Sequence, residues 1–300
     1  MKPIPPQPIK PAPIVAPTVL PTEDSLPVEE LSDHKILIHS LSGVGKTTFL
    51  MSIQQVAKAI LLDGERGSLS HKGRIVRLTD WSHFTRVVDA LVNRNHEYEM
   101  VCIDPLDAVY NMAWSHINTV LNISHPGDAA SGKGYDRITS ALMEQLNKLQ
   151  LSGLGLVCSV HTMTGTIKIR GVEYNNFQPS FVGGSPRSAY KRMEDFFDVI
   201  GFLHVESMVK PPTIQGKGRQ PVVDVRAIAS GSLIEEEVRV LDFSASQFWV
   251  TKDRTGRFKT PIVLPEDWRE DWAKIVEVWE PETKGTTSPP GEAEQKDMKE

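Results

Sequence analysis

The sequence predicts an α/β fold: a mostly parallel, twisted sheet flanked by helices, with antiparallel strands on its C-terminal side. Three observations predict it. Short apolar runs alternate with helically spaced stripes between Lys35 and Val160. The first run leads through a glycine-rich turn straight into a helical pattern. From about Asp198 strand-like runs follow one another through turns, with no crossover helix between them.

Taken in order, Lys35–His39 reads as a strand and Lys46–Val56 as the helix after it. Ala59–Asp63 and Arg74–Leu78 read as the next two strands. Trp81–Val92 carries Phe84, Val87, Val88 and Leu91 on one stripe, the spacing of an amphipathic helix. Met100–Asp104 is a buried strand. Tyr135–Leu149 is helical, with Ile138, Leu142, Leu146 and Leu149 on one face. Leu154–Val160 is a further strand that ends at His161. Beyond it, Val199–Val205, Val222–Ile228, Glu237–Phe243 and Gln247–Thr251 read as antiparallel strands, and Trp268–Trp279 as a closing helix.

Composition bounds the rest. Residues 1–33 hold nine of the 21 prolines and no periodic apolar face, so a disordered or polyproline-like arm is expected there. Residues 281–300 read as a disordered acidic tail, which leaves 34–280 as one domain. The net charge of -5 lies wholly in these two ends, so the domain itself is neutral and bulk charge gives no argument for nucleic acid. The two cysteines, Cys102 and Cys158, sit in apolar runs and read as free core thiols. No apolar run reaches the roughly 18 residues of a membrane span, and prolines interrupt the N-terminus where a signal's apolar region belongs. No membrane partner and a cytoplasmic location are expected.

The chemistry begins at Ser40-Leu-Ser-Gly-Val-Gly-Lys-Thr-Thr48, between a strand and a helix. That context gives G-x-x-x-x-G-K-[ST] its meaning as a phosphate-binding loop. Gly43 and Gly45 let backbone N–H groups turn inward, and the helix N-terminus favours an anion. Ser42, Gly43, Val44, Gly45, Lys46, Thr47 and Thr48 are the expected nucleotide contacts. Lys46 reaches the β- and γ-phosphates of ATP, and the Thr47 hydroxyl ligates Mg²⁺. Ser40 stands where the pattern has its first glycine. Asp104, ending an apolar strand, fits the second carboxylate that holds Mg²⁺. Glu65, just past the Ala59–Asp63 strand, is the candidate for activating water. His161, at a strand end, is a candidate γ-phosphate sensor; a satisfied polar residue is the plainer alternative.

Together these residues resemble the RecA-like P-loop ATPase core over about 34–275. They resemble more closely the phage nucleotide-binding ATPases of the Sak-four group, implicated in annealing single-stranded DNA. Leu62-Asp-Gly-Glu65 is similar to the segment bearing that family's catalytic glutamate. Gly132-Lys-Gly-Tyr135 and His161-Thr162 also look like family elements. Val250-Thr-Lys-Asp-Arg-Thr-Gly256 is similar to a late Lys-x-Arg-x-Gly element, whose cations reach a neighbouring subunit's γ-phosphate. The resemblance therefore implies that Lys252 and Arg254 act in trans, in a ring or filament of this chain. An edge-strand charge pair is the plainer alternative.

It also implies two mobile loops, about Asn122–Gly134 and Thr162–Arg187, that contact single-stranded DNA. Lys133, Tyr135, Lys168 and Arg170 are the candidate DNA residues. Arg187, Lys191, Arg192, Lys210, Lys217 and Arg219 add charge, and Tyr174 and Phe177 add rings for stacking. A solvated basic surface is the alternative. A single-strand-binding protein is a further expected partner, and the cytoplasm would be that of a bacterial host if a phage encodes the chain. The competing readings are a hexameric helicase or translocase, a nucleotide-gated regulatory module and, more weakly, a small-molecule kinase.

Overall fold

In the computed structural model, the described residues are 30–93, 95–129, 133–181, 188–210, 213–215, 221–223 and 234–280. The arm before residue 30 and the tail after 280 lie outside them. So do Gly132, Arg187, Lys217 and Arg219. A 3₁₀ turn at Leu31–Asp33, with Leu31 buried, stands just before the expected start of the domain.

The first half follows the expected alternation. It runs β1 (Lys35–Ser40), α1 (Lys46–Val56), β2 (Ala59–Asp63), β3 (Ile75–Arg77), α2 (Trp81–Val92) and β4 (Met100–Asp104). Two helices then form an antiparallel pair, α3 (Leu106–Leu121) and α4 (Lys133–Leu151). The ring of Trp114 meets that of Tyr135, while Tyr110, one turn earlier, meets Thr139, one turn later. β5 (Gly155–Ile169) and β6 (Val172–Pro179) make a hairpin, and α5 (Ala189–Phe196) leads into β7 (Val199–Lys210). β8 (Thr213–Gln215) and β9 (Pro221–Val223) pair separately. β10 (Ile234–Asp242), β11 (Lys252–Asp253), β12 (Ile262–Val263) and α6 (Asp271–Trp279) complete the chain.

The main sheet has the order β12-β10-β7-β1-β5-β4-β2-β3, with β11 beside β7 and β6 beside β5. Neighbours from β7 through β3 are parallel, while β10 and β12 are antiparallel. Side chains alternate between faces. Leu37 packs into the layer built by α2, α3, α4 and α5, and Ile36 and Ile38 into the layer built by α1 and α6. Cys102 and Cys158 are free, buried and on opposite faces, as their apolar surroundings predict.

Four expectations need correction. The sequence reading has no helix between Met100–Asp104 and Tyr135, yet α3 fills most of that stretch, with Pro105 in the N-cap position and a buried stripe of Leu106, Val109, Tyr110 and Ala113. α5 was also missed, and with it the direction of β7. That strand is parallel to β1, so at this end of the main sheet the change to antiparallel pairing falls between β7 and β10. Thr162–Pro179 is not an irregular loop, because β5 continues past His161 into the hairpin with β6. Gln247–Thr251 is not a strand: it contributes one bridge, Phe177 to Trp249, and regular pairing starts at Lys252.

Candidate nucleotide site

Parallel register brings the site residues to one edge. Ser40 is level with His161, and Asp63 with Asp104. Ile103 pairs with Cys158, so Asp104 is level with Ser159. The carboxyl ends of β1, β2 and β4 therefore converge beside His161 in the middle of β5, at the edge where open α/β sheets bind ligands.

The loop between β1 and α1 turns through Gly43 and Gly45, at φ +83° and +108°. Such left-handed conformations are open to glycine and strained for other residues. Lys46 is nearly buried and its Nζ donates to Ser40 O at 3.1 Å and Leu41 O at 3.2 Å. It also lies 3.3 Å from Ser40 Oγ. The serine in the first glycine position thus adds an acceptor that holds the lysine over the loop. Burial pulls the Lys46 ammonium below its ordinary range, against the opposing pull of Asp104, Asp107 and Glu65.

Thr47 Oγ1 donates to Asp104 Oδ2 at 2.5 Å, and Ser159 Oγ donates to Asp104 Oδ1. Asp104 is buried and its carboxyl is pushed up, first by desolvation and further by the charge of Asp63. The two hydroxyls pull the other way. This donor set suits a hard divalent cation: Thr47 and Asp104 offer oxygen atoms that could hold one, and a cation would relieve the crowding of carboxylates. No group of three or more His, Cys, Asp or Glu is gathered as a metal cage among the described residues.

Glu65 sits on a turn that Asp63 organises. Asp63 accepts from the N–H groups of Glu65, Gly67 and Ser68 at 3.1, 3.2 and 3.1 Å, and from the Ser68 hydroxyl. Glu65 Oε2 lies 3.8 Å from His161 Nε2, and His161 Nδ1 lies 2.9 Å from Asp107 Oδ2. A carboxylate only accepts, so Nδ1 carries the proton and Nε2 is turned to Glu65. Desolvation raises the Glu65 carboxyl; Asp107 and Asp104 add to this, while His161 and Lys46 oppose it. A carboxyl poised upward is suited to take a proton from water. Asp63, Asp107 and Ser159 were missed from sequence. Asp107 and Ser159 meet partners on other strands, which only the register reveals, whereas Asp63 acts within the turn that follows its own strand.

The remaining candidates lie apart. Lys252 pairs with Ile200, which is level with Leu37, and Arg254 N–H donates to Asp198 O at 3.1 Å. Both are therefore on the amino side of the sheet, with Lys252 about 10 Å of strand below Ser40. Lys252 Nζ caps the end of α5 through Glu194 O and, at 2.7 Å, Phe197 O. Arg254 Nη2 donates to Asp195 O at 2.9 Å and Nη1 meets Asp198 at 3.3 Å. Neither faces this chain's own phosphate loop.

Lys168 and Arg170 are exposed at the far end of the β5–β6 hairpin. Arg170 and Gly171, at φ +50° and +87°, form its two-residue turn. Lys168 is paired across the hairpin with Glu173, which offsets part of the local positive charge. Lys133 is exposed at the start of α4. Tyr135 is half-buried: its ring packs on Trp114 and His125, and its hydroxyl lies 3.3 Å from His125 Nε2. Gly134 explains the second glycine of that element, since a Cβ there would stand 2.3 Å from Pro126 O. Phe177 stacks on Phe202 at 5.6 Å, whereas Tyr174 is exposed beside Phe248. No helix among the described residues is long and apolar enough to cross a membrane.

A buried lysine and a threonine at the start of a helix, tied to an aspartate across the sheet, define a P-loop nucleotide-binding domain. A model described as "AAA domain" matches residues 32–255, and the chain belongs to that family. Among solved structures it is similar to one titled "Crystal structure of the RadB recombinase". The identity is 11% and the TM-score 0.40, over 79% of this chain and 89% of that one. No curated protein matches.

Proposed function

We propose that this chain is a RecA-like ATPase that binds ATP with Mg²⁺, assembles on single-stranded DNA and serves phage-type recombination or strand annealing. The observation that carries the ATPase part is the Thr47–Asp104 contact with Lys46 on one side and Glu65 on the other. Lys46 neutralises the β- and γ-phosphates. Thr47 and Asp104 hold Mg²⁺, which supplies charge stabilisation to the phosphoryl group. Glu65 takes the proton of the attacking water. His161, fixed by Asp107, links Glu65 to the strand that continues into the β5–β6 hairpin. Single-stranded DNA on Lys168 and Arg170 at the tip, with Lys133 and Tyr135 beside α3, would bear on that strand. Lys252 and Arg254, on the opposite edge, would complete a neighbouring subunit's site.

The test is ATP hydrolysis by purified protein with and without single-stranded DNA, beside Lys46→Ala and Arg254→Ala. DNA stimulation lost in both variants is the expected result. Turnover indifferent to DNA removes the DNA role, and strand displacement on a forked duplex would select a motor instead. A single-strand-binding protein as partner is checked by co-sedimentation.

A further inference from the structure

The phosphate loop has two flanks, and only one is occupied by the groups described so far. On the β5–β4 side stand Asp104, Asp107, Glu65 and His161. On the β7–β10 side stands Arg239. β10 pairs Arg239 with Val205, three residues past Phe202, which is itself level with His39 near the end of β1. The side chain thereby comes up under the loop. A Cβ built on Gly45 would lie 3.9 Å from Arg239 Nη1 and 4.0 Å from Arg239 Cδ. It would lie 3.9 Å from Thr48 Cβ, so Arg239 and Thr48 share one corner of the loop.

Arg239 is held there. Nη1 donates to Asp271 Oδ2 at 2.6 Å, and Nη2 donates to Asp271 Oδ1 and to Pro265 O, both at 2.9 Å. The Asp271 side chain is fully buried, whereas that of Arg239 keeps 21% exposure. A guanidinium has five N–H donors, and these bonds use three. The second N–H of Nη1, the atom nearest Gly45, has no hydrogen-bond partner among the described residues. A purely structural tie between β10 and α6 needs the buried bidentate pair. It does not need a spare donor at the phosphate loop.

We propose that Arg239 is a nucleotide-binding residue whose free Nη1 N–H donates to the α-phosphate. The inference rests on the nucleotide reading above and extends it. Thr47 and Asp104 fix the Mg²⁺ and γ-phosphate end of the nucleotide on the β4 flank. The loop's own N–H groups cradle the α- and β-phosphates, so the α-phosphate passes over the Gly45–Thr48 corner. Arg239 is pre-positioned by Asp271 and loses little freedom on binding. An α-phosphate is common to ATP and ADP, so Arg239 holds both.

The test is nucleotide affinity of the double variant Arg239→Met/Asp271→Leu, which removes both charges together, so that neither is left buried without its ion-pair partner. Kd for ATP and for ADP is measured by calorimetry, beside thermal unfolding without nucleotide. The expected result is a folded protein that binds both nucleotides roughly tenfold more weakly, with their ratio unchanged. Arg239→Lys, which keeps the charge but not the fork, is expected to lose roughly threefold for both and serves if the double variant does not fold. Wild-type affinity in these variants, or a loss confined to ATP, overturns the proposal. Wild-type protein that binds neither nucleotide overturns the ATPase reading, and this one with it.

Discussion

The two edges of the parallel sheet carry the same kinds of side chain and use them differently. At the carboxyl edge, Lys46, Thr47, Glu65, Asp104 and His161 come from four segments and converge, Thr47 on Asp104 and His161 on Glu65. At the amino edge, Lys252 and Arg254 are two residues apart, yet both are spent on the carbonyls that end α5 and on Asp198. A cation at a helix C-terminus is well placed electrostatically. The contrast teaches that one chain gathers its candidate nucleotide site at one edge and ties two cations to the end of α5 at the other. Any joint action of the two needs a second copy of the chain.

The largest expected effect tests the amino edge. If Arg254 completes a neighbour's site, Arg254→Ala lowers kcat by roughly 10³-fold at saturating ATP, with little change in thermal unfolding, since an exposed pair contributes at most about 1 kcal/mol. A change in melting temperature with unchanged turnover would reduce it to a helix cap. Next, Glu65→Gln should cost roughly 10²-fold in kcat while ATP binding is kept. Because burial and carboxylate neighbours raise Glu65, the acid limb of the wild-type rate profile should lie above the ordinary glutamate range. A limb at the ordinary value would remove Glu65 from the role of base. Lys46→Ala follows, with ATP affinity expected to fall at least about tenfold. Equilibrium binding checks it.

The smallest effect concerns His39 on β1, between the two edges. Nε2 lies 2.7 Å from Val250 O and so donates, while Nδ1 accepts from Thr162 Oγ1 at 2.9 Å. Burial lowers its pKa to about 4, with Lys46 adding to this against the Val250 bond. Below about pH 6.5 the unfolded chain binds a proton that the folded chain refuses. The stability is therefore full above that value and declines by about 1.4 kcal/mol per pH unit as pH falls toward 4. Denaturant melts of wild type and His39→Gln should show this slope in wild type and a shallower one in the variant.

What was legible in the sequence was local or strongly patterned. The strand, glycine turn and helix around Lys46 lie within a continuous stretch, and Met100–Asp104 and Trp81–Val92 carry their own periodicity, so all three stand where the residues predict them. Non-local pairings were not legible. Ser159 reaches Asp104 because two strands 55 residues apart are in register, and Asp107 reaches His161 across 54 residues. Arg239 and Asp271 were silent for the same reason. The sequence places Lys168 and Arg170 in a loop, because the polar stretch after His161 hides the alternation of a hairpin that buries little of either face.

The most direct test of the two-edge account is ATP hydrolysis by a mixture of Lys46→Ala and Arg254→Ala subunits. Each variant alone should be nearly inactive. Mixing supplies junctions that join an intact phosphate site to an intact Arg254, so turnover should return to a substantial fraction of wild type. A mixture no more active than its parts, at concentrations where the wild type assembles and turns over, would contradict the account.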